Sequence, residues 1–169
     1  IENVHVIGSG DALQANGSAY WLNCIIDGGG DTVLGRGPSF FDHCTLSSYG
    51  AFLWIRNTNE NHGDVFLNCT FRGLGPDAVI ARSPINKGKG YPYAEAVLIN
   101  CTQDKIPAIG WGPIEGDTTN VHFWEYASRN PDGSLTDVSQ RHPVSKQLNA
   151  TKDHNTIVNY SKKEFVLGW

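Results

Sequence analysis

Apolar and polar residues alternate over short stretches along the first hundred residues, and the stretches are copies of one another. Trp21-Leu22-Asn23-Cys24-Ile25-Ile26, Phe41-Asp42-His43-Cys44-Thr45-Leu46, Phe66-Leu67-Asn68-Cys69-Thr70-Phe71 and Leu98-Ile99-Asn100-Cys101-Thr102-Gln103 share one pattern, with their cysteines spaced by 20, 25 and 32 residues. A period of two within each copy predicts β-strands rather than helices. A repeat of about 20 residues with growing insertions predicts a solenoid whose coils stack as parallel strands ~4.8 Å apart. Alternation places the cysteines inside together with Tyr20, Leu22, Ile26, Phe40, Leu46, Val65, Leu67, Phe71, Val97 and Ile99. It turns Asn23, His43, Asn68, Asn100, Thr45, Thr70 and Thr102 outward, with Asp42 and Gln103 interrupting the inward set. The leucine spacing does not sustain a leucine-rich repeat. The expected fold is all-β, a single-stranded right-handed parallel β-helix.

Composition narrows what such a solenoid does. The 169 residues amount to one domain, 1–169. Lys and Arg total 13 against 17 Asp and Glu, for a net charge of -4 with no basic block, so the chain lacks the electrostatic footprint of a nucleic-acid binder. No apolar run approaches the ~20 residues of a membrane span. The chain opens on Ile1 and contains no Met, which leads us to expect the later coils and tail of a longer β-helical domain, with the preceding coils as a partner. The four cysteines suit either an interior column of reduced thiols or a bridge between neighbouring coils. The sequons at Asn16, Asn149 and Asn159 are compatible with an extracellular or periplasmic protein, whereas those at Asn68 and Asn100 follow from the coil repeat.

The register carries the candidate chemistry. Stacking Cys24 on Cys44 brings Asp31, in the corner Asp27-Gly28-Gly29-Gly30-Asp31, beside Ala51. Arg36 and Arg56 each follow a cysteine by twelve residues, and Arg82 follows Cys69 by thirteen. Guanidinium groups on adjacent coils suit a polymer with a carboxylate on successive units, because the fork matches a carboxylate bidentately; exposed corners are the other reading. His43 and His62 have no second donor at metal spacing and read as surface or coil-stack residues, so neither a metal nor a cofactor is expected. No Gly-x-Ser-x-Gly elbow, phosphate loop or Cys-x-x-Cys pair occurs. The segment from Ser83 to Ala94, with Lys87, Lys89, Tyr91 and Tyr93, either flanks a sugar cleft or is a surface excursion. After Asn149 a short helix is expected to pack Tyr160, Phe165 and Trp169 on the outer face.

In order along the chain, Asn16-Gly17-Ser18-Ala19-Tyr20-Trp21-Leu22-Asn23-Cys24, Gly30-Asp31-Thr32-Val33, Ser39-Phe40-Phe41-Asp42-His43-Cys44, Tyr49-Gly50-Ala51-Phe52-Leu53-Trp54, Gly110-Trp111, Phe123-Trp124-Glu125-Tyr126 and Val144-Ser145-Lys146-Gln147-Leu148 resemble the pectin methylesterases, the pectinesterases of carbohydrate esterase family eight. The resemblance covers the later part of a typical member. It implies a secreted hydrolase of methyl-esterified pectin, in which one Asp attacks the ester, a second is acid and then base, a Gln holds the oxyanion and an Arg orients the nucleophile. Matched residue by residue, Asp31 is the acid and base and Arg82 the arginine. Gly30 stands in the place of the Gln and Ala51 in that of the nucleophile. The family mechanism cannot run unchanged on alanine, so the expectation is a pectinesterase-like enzyme with a non-standard site, with Asp31 and Arg82 catalytic and Arg56, Arg36 and Tyr91 binding the polyuronate. The alternative is a polyuronate-binding β-helix without catalysis.

Overall fold

The computed structural model describes residues 1–169. The chain winds as a parallel β-helix. The first coil contributes β1 (His5–Ile7) and β2 (Leu13–Ala15); the second β3 (Ala19–Leu22), β4 (Ile25–Gly28) and β5 (Val33–Gly35); the third β6 (Ser39–Asp42), β7 (Thr45–Ser48) and β8 (Leu53–Ile55). Then come β9 (Asp64–Leu67), β10 (Thr70–Gly73), β11 (Ala81–Arg82), β12 (Glu95–Ile99), β13 (Thr102–Asp104), β14 (His122–Tyr126) and β15 (Lys146–Gln147). Equivalent strands pair in parallel as three sheets, ordered β1-β4-β7-β10-β13, β2-β5-β8-β11 and β3-β6-β9-β12-β14-β15. Ile26 lies opposite Leu46 and Val33 opposite Leu53, so the expected register holds on both sides of Asp31 and Ala51.

The inward set differs from simple alternation, and one residue per coil explains why. Asn23, His43, Asn68 and Asn100 sit between consecutive strands with φ of 52°, 52°, 55° and 55°. A left-handed residue bends the chain and resets the pleat, and Asn tolerates that conformation better than most residues. After the bend Cys24 and Ile26 point inward as expected, but before it the inward residue is Trp21 rather than Tyr20 or Leu22. Phe41 stacks on Phe66 with ring centroids 4.5 Å apart, and Trp21 stacks on Phe41 at 5.9 Å. Tyr20, Phe40, Val65, Leu67, Val97 and Ile99 lie instead on the outer side of the third sheet, and Leu22 is in register with Asp42, which in turn pairs with Leu67. Asp42 therefore does not interrupt the interior; it faces out, accepting hydrogen bonds from Tyr20 Oη at 3.1 Å and pairing with His43 Nδ1 at 2.6 Å.

All four cysteines are buried and unbridged, which decides the alternative left open by spacing. The amide of Cys24 donates to Cys44 Sγ at 3.4 Å and that of Cys44 to Cys69 Sγ at 3.3 Å, so the thiols also serve as acceptors along the column. Gln103 does point inward. Its Nε2 donates to Glu125 Oε2 at 2.9 Å, and Glu125 also accepts from Arg141, Ser128 and Gln147, so this interior network is closed on itself.

The tail forms two helices, α1 (His154–Tyr160) and α2 (Lys163–Leu167), that cover the apolar outer side of the third sheet. Tyr160, Val166 and Leu167 make that contact. Phe165 touches it through His62 and Tyr160, at 4.9 and 5.3 Å between ring centroids. Trp169 does not pack: it is 61% exposed, because Gly168 turns the chain away with φ of 76°.

Candidate functional site

Asp31 sits where β4 leaves the first sheet and the chain crosses to β5. Gly29 lies so close to the Ser9 carbonyl of the preceding coil that a Cβ has no room, and Asp31 itself adopts φ of 46°. This corner aims the carboxylate away from the core. Arg82, on β11 two coils further along, reaches back with both edges of its fork: Nε donates to Asp31 Oδ1 at 2.6 Å and Nη2 donates to Oδ2. The hydrogen bonds that Arg82 donates to Asp31 raise the Arg82 pKa above its ordinary value, with burial opposing. The Asp31 and Arg82 side chains are 17% and 28% exposed, so the pair faces solvent without being free in it.

The pair lines an open cleft of about 650 Å³, shared with Gly30, Ala51, Asp77, Trp111, Gly112 and His142. Ala51 offers only a methyl group there. Thus the register expectation holds in space: positions 31 and 51 share one cleft, and only the first carries a reactive group. Asp77 on the rim and His142 on the far wall were not legible in the sequence. Asp77 lies in a Gly-Pro-Asp turn with no spacing motif, and His142 comes from a tail loop that folds back over Ile109.

The three remaining candidates lie elsewhere. Arg82 pairs with Trp54 and not with Arg56, so the guanidinium groups do not form a single row. Instead Trp54 divides two compartments, with Arg82 Cζ 4.7 Å and Arg56 Cζ 4.9 Å from its ring centroid. Beyond it, Arg56 and Tyr91 line a second groove of about 260 Å³ with Lys89 and Tyr93. Tyr91 meets Trp54 edge-on at 6.2 Å, which fixes the segment after Ser83 against the coils. Arg56 Nε is buried and without a hydrogen-bond partner. Arg36 is exposed and lines neither groove, although it neighbours Arg56 in the register.

A further polar cluster lies under the tail. Glu95, 6% exposed, accepts hydrogen bonds from His62 Nδ1 at 2.8 Å, His122 Nδ1 at 2.9 Å, Tyr160 Oη at 2.6 Å and the Gly63 amide at 3.2 Å. Burial alone would raise its pKa; the bonds from His122, His62 and Tyr160 outweigh that and bring it to about 2. Neighbouring Asp64 has no such donors. Its fully buried carboxyl is pushed up to about 8, first by desolvation and then by the Glu95 charge. His62 is therefore a part-buried anchor and not a free surface residue. No group of three or more His, Cys, Asp or Glu side chains is arranged to hold a metal ion.

No protein-family model matches the chain. A pectinesterase of Arabidopsis thaliana is 31% identical over an alignment of 176 positions that covers 98% of this chain and 42% of the relative. A crystal structure of the pectin methylesterase from Aspergillus niger superposes with a TM-score of 0.72 at 21% identity, covering 97% of this chain and 52% of that one. A pectin methylesterase in complex with a hexasaccharide superposes with a TM-score of 0.66 at 17% identity, covering 99% of this chain and 56% of that one. The chain spans about two fifths of the length of the curated relative and about half of each solved structure. Over that later part of their length, the chain is a relative of the pectinesterases.

Proposed function

We propose that the chain is a carboxylic ester hydrolase acting on methyl-esterified pectin, outside the cell or in a periplasm, and that Asp31 works on water in place of the missing aspartate nucleophile. The carrying observation is the Asp31 carboxylate, held by the Arg82 fork inside an open cleft where position 51 is a methyl group. Arg82 orients the carboxylate while leaving it other lone pairs for a water. That water's oxygen attacks the ester carbonyl as its proton passes to Asp31, and the same proton leaves with the departing methoxide as methanol. Because the Arg82 fork is committed to Asp31, a uronate carboxylate is left to Arg56 and Lys89, which line the second groove with Tyr91.

A second reading, polyuronate binding without hydrolysis, is favoured by Ala51 and Gly30 in that cleft. Methanol release from methyl-esterified pectin separates the two. The hydrolase reading expects release that Asp31→Asn abolishes. No release from the native chain, with polygalacturonate binding that weakens in Arg56→Ala, would replace it with the binding reading.

A further inference from the structure

We propose that His142 donates its Nε2–H to the oxygen that becomes negative when an ester carbonyl is attacked in the Asp31 cleft, supplying the donor that Gly30 cannot. This rests on the hydrolase reading above. His142 lines the same cleft as Asp31 and Ala51. The Val144 amide donates to His142 Nδ1 at 3.2 Å, and a ring nitrogen that accepts carries no proton. The neutral ring therefore bears its proton on Nε2, and no protein group accepts from that atom. The loop backbone holds the ring in place. The His142 amide donates to the Ile109 carbonyl at 2.9 Å, and Ser145 Oγ donates to the His142 carbonyl at 2.8 Å.

The ring edge is turned toward the cleft wall. Cδ2, bonded to Nε2, lies 3.5 Å from where a Cβ on Gly112 would stand, and Gly112 has φ of 119°, which favours glycine. The cleft holds two carboxylates, Asp31 and Asp77, and neither accepts a hydrogen bond from this ring: Asp31 is turned to the Arg82 fork. A neutral imidazole is too weak an acid to surrender this proton, but it polarises a carbonyl by hydrogen bonding. The proton balance is unaffected: Asp31 takes the proton from water and returns it to methoxide, while Nε2–H remains bonded to nitrogen throughout.

Losing one preorganised oxyanion donor costs roughly 10²–10³ in kcat. Methanol release is compared for the native chain, His142→Ala and His142→Gln, the last keeping an N–H donor. The expected result is a fall of roughly 10²-fold in kcat for His142→Ala with KM nearly unchanged, and recovery of most of it in His142→Gln. Long-range ¹H–¹⁵N spectra of the ring should show the neutral Nε2–H tautomer near pH 7. Full kcat in His142→Ala, a loss carried only by KM, or an Nδ1–H tautomer overturns the proposal while leaving the hydrolase reading intact. A native chain that releases no methanol overturns both.

Discussion

Glu95 and Asp31 are both held by cationic or hydrogen-bonding partners, and they behave differently because of what surrounds them. Glu95 is enclosed, with His62, His122, Tyr160 and the Gly63 amide filling its acceptor sites. Its interactions end there, and they fasten α1 to the third sheet. Asp31 receives one fork from Arg82 and otherwise looks into an open cleft. A fully satisfied buried carboxylate stabilises one arrangement of the chain, whereas a partly satisfied carboxylate at a cleft retains capacity for a ligand. Total charge does not distinguish the two sites; the number of unoccupied lone pairs and the route to solvent do.

Removing Glu95 attacks the enclosed side of this comparison with the largest expected effect. Glu95→Ala leaves three polar side chains without their shared acceptor under the tail and should cost about 3–5 kcal/mol in urea unfolding at pH 7. The sign with pH follows from its lowered pKa. The Glu95 contribution is present above the ordinary value of 4.5 and is lost as pH falls through about 2, so the gap between native and variant should close in acid. A gap that persists at pH 2 would show that the site stabilises through packing alone.

On the open side, Arg82→Ala should leave the unfolding midpoint within about 1 kcal/mol of native, since one partly exposed pair is lost. Methanol release should fall roughly 10²-fold as Asp31 loses its orientation. A large stability loss with unchanged release would make the Asp31–Arg82 pair a structural element like Glu95.

Asp64 tests the boundary between the two kinds of site, being buried but unpartnered. Its raised pKa means that its favourable contribution is complete below the ordinary 3.8 and is lost as pH rises through about 8. Asp64→Asn should therefore gain stability relative to native between pH 5 and pH 8, read as a flatter dependence of the urea midpoint on pH. Equal slopes would place the Asp64 proton elsewhere. Within the Glu95 cluster a smaller effect is expected for Tyr160→Phe, which removes one hydrogen bond to a charged acceptor but keeps the ring; about 1.5–3 kcal/mol is the scale for such bonds. A loss as large as that of Glu95→Ala would mean that α1 detaches.

Much of the coil architecture was legible because it is local and repeated. Four copies of one strand pair fixed the coil step, and that step alone placed Asp31 beside Ala51. The inward set before each bend was not legible from alternation, because a single left-handed residue resets the phase, and Tyr20, Phe40 and Val97 are apolar for a different reason: they lie under the tail. The Glu95 cluster draws Glu95, His62, His122 and Tyr160 from separate parts of the chain with no spacing to announce it.

The sequence by itself determined a stacked parallel β-helix and a register that sets Asp31 beside Ala51, since both depend on periodicity. Tertiary structure decided which arginine meets Asp31, that Trp54 separates Arg82 from Arg56, and that His142 enters the cleft. The physical reason is reach. A strand period specifies neighbours one coil apart, but the insertions between coils set where a long side chain or a returning tail loop arrives, and those lengths leave no periodic signal.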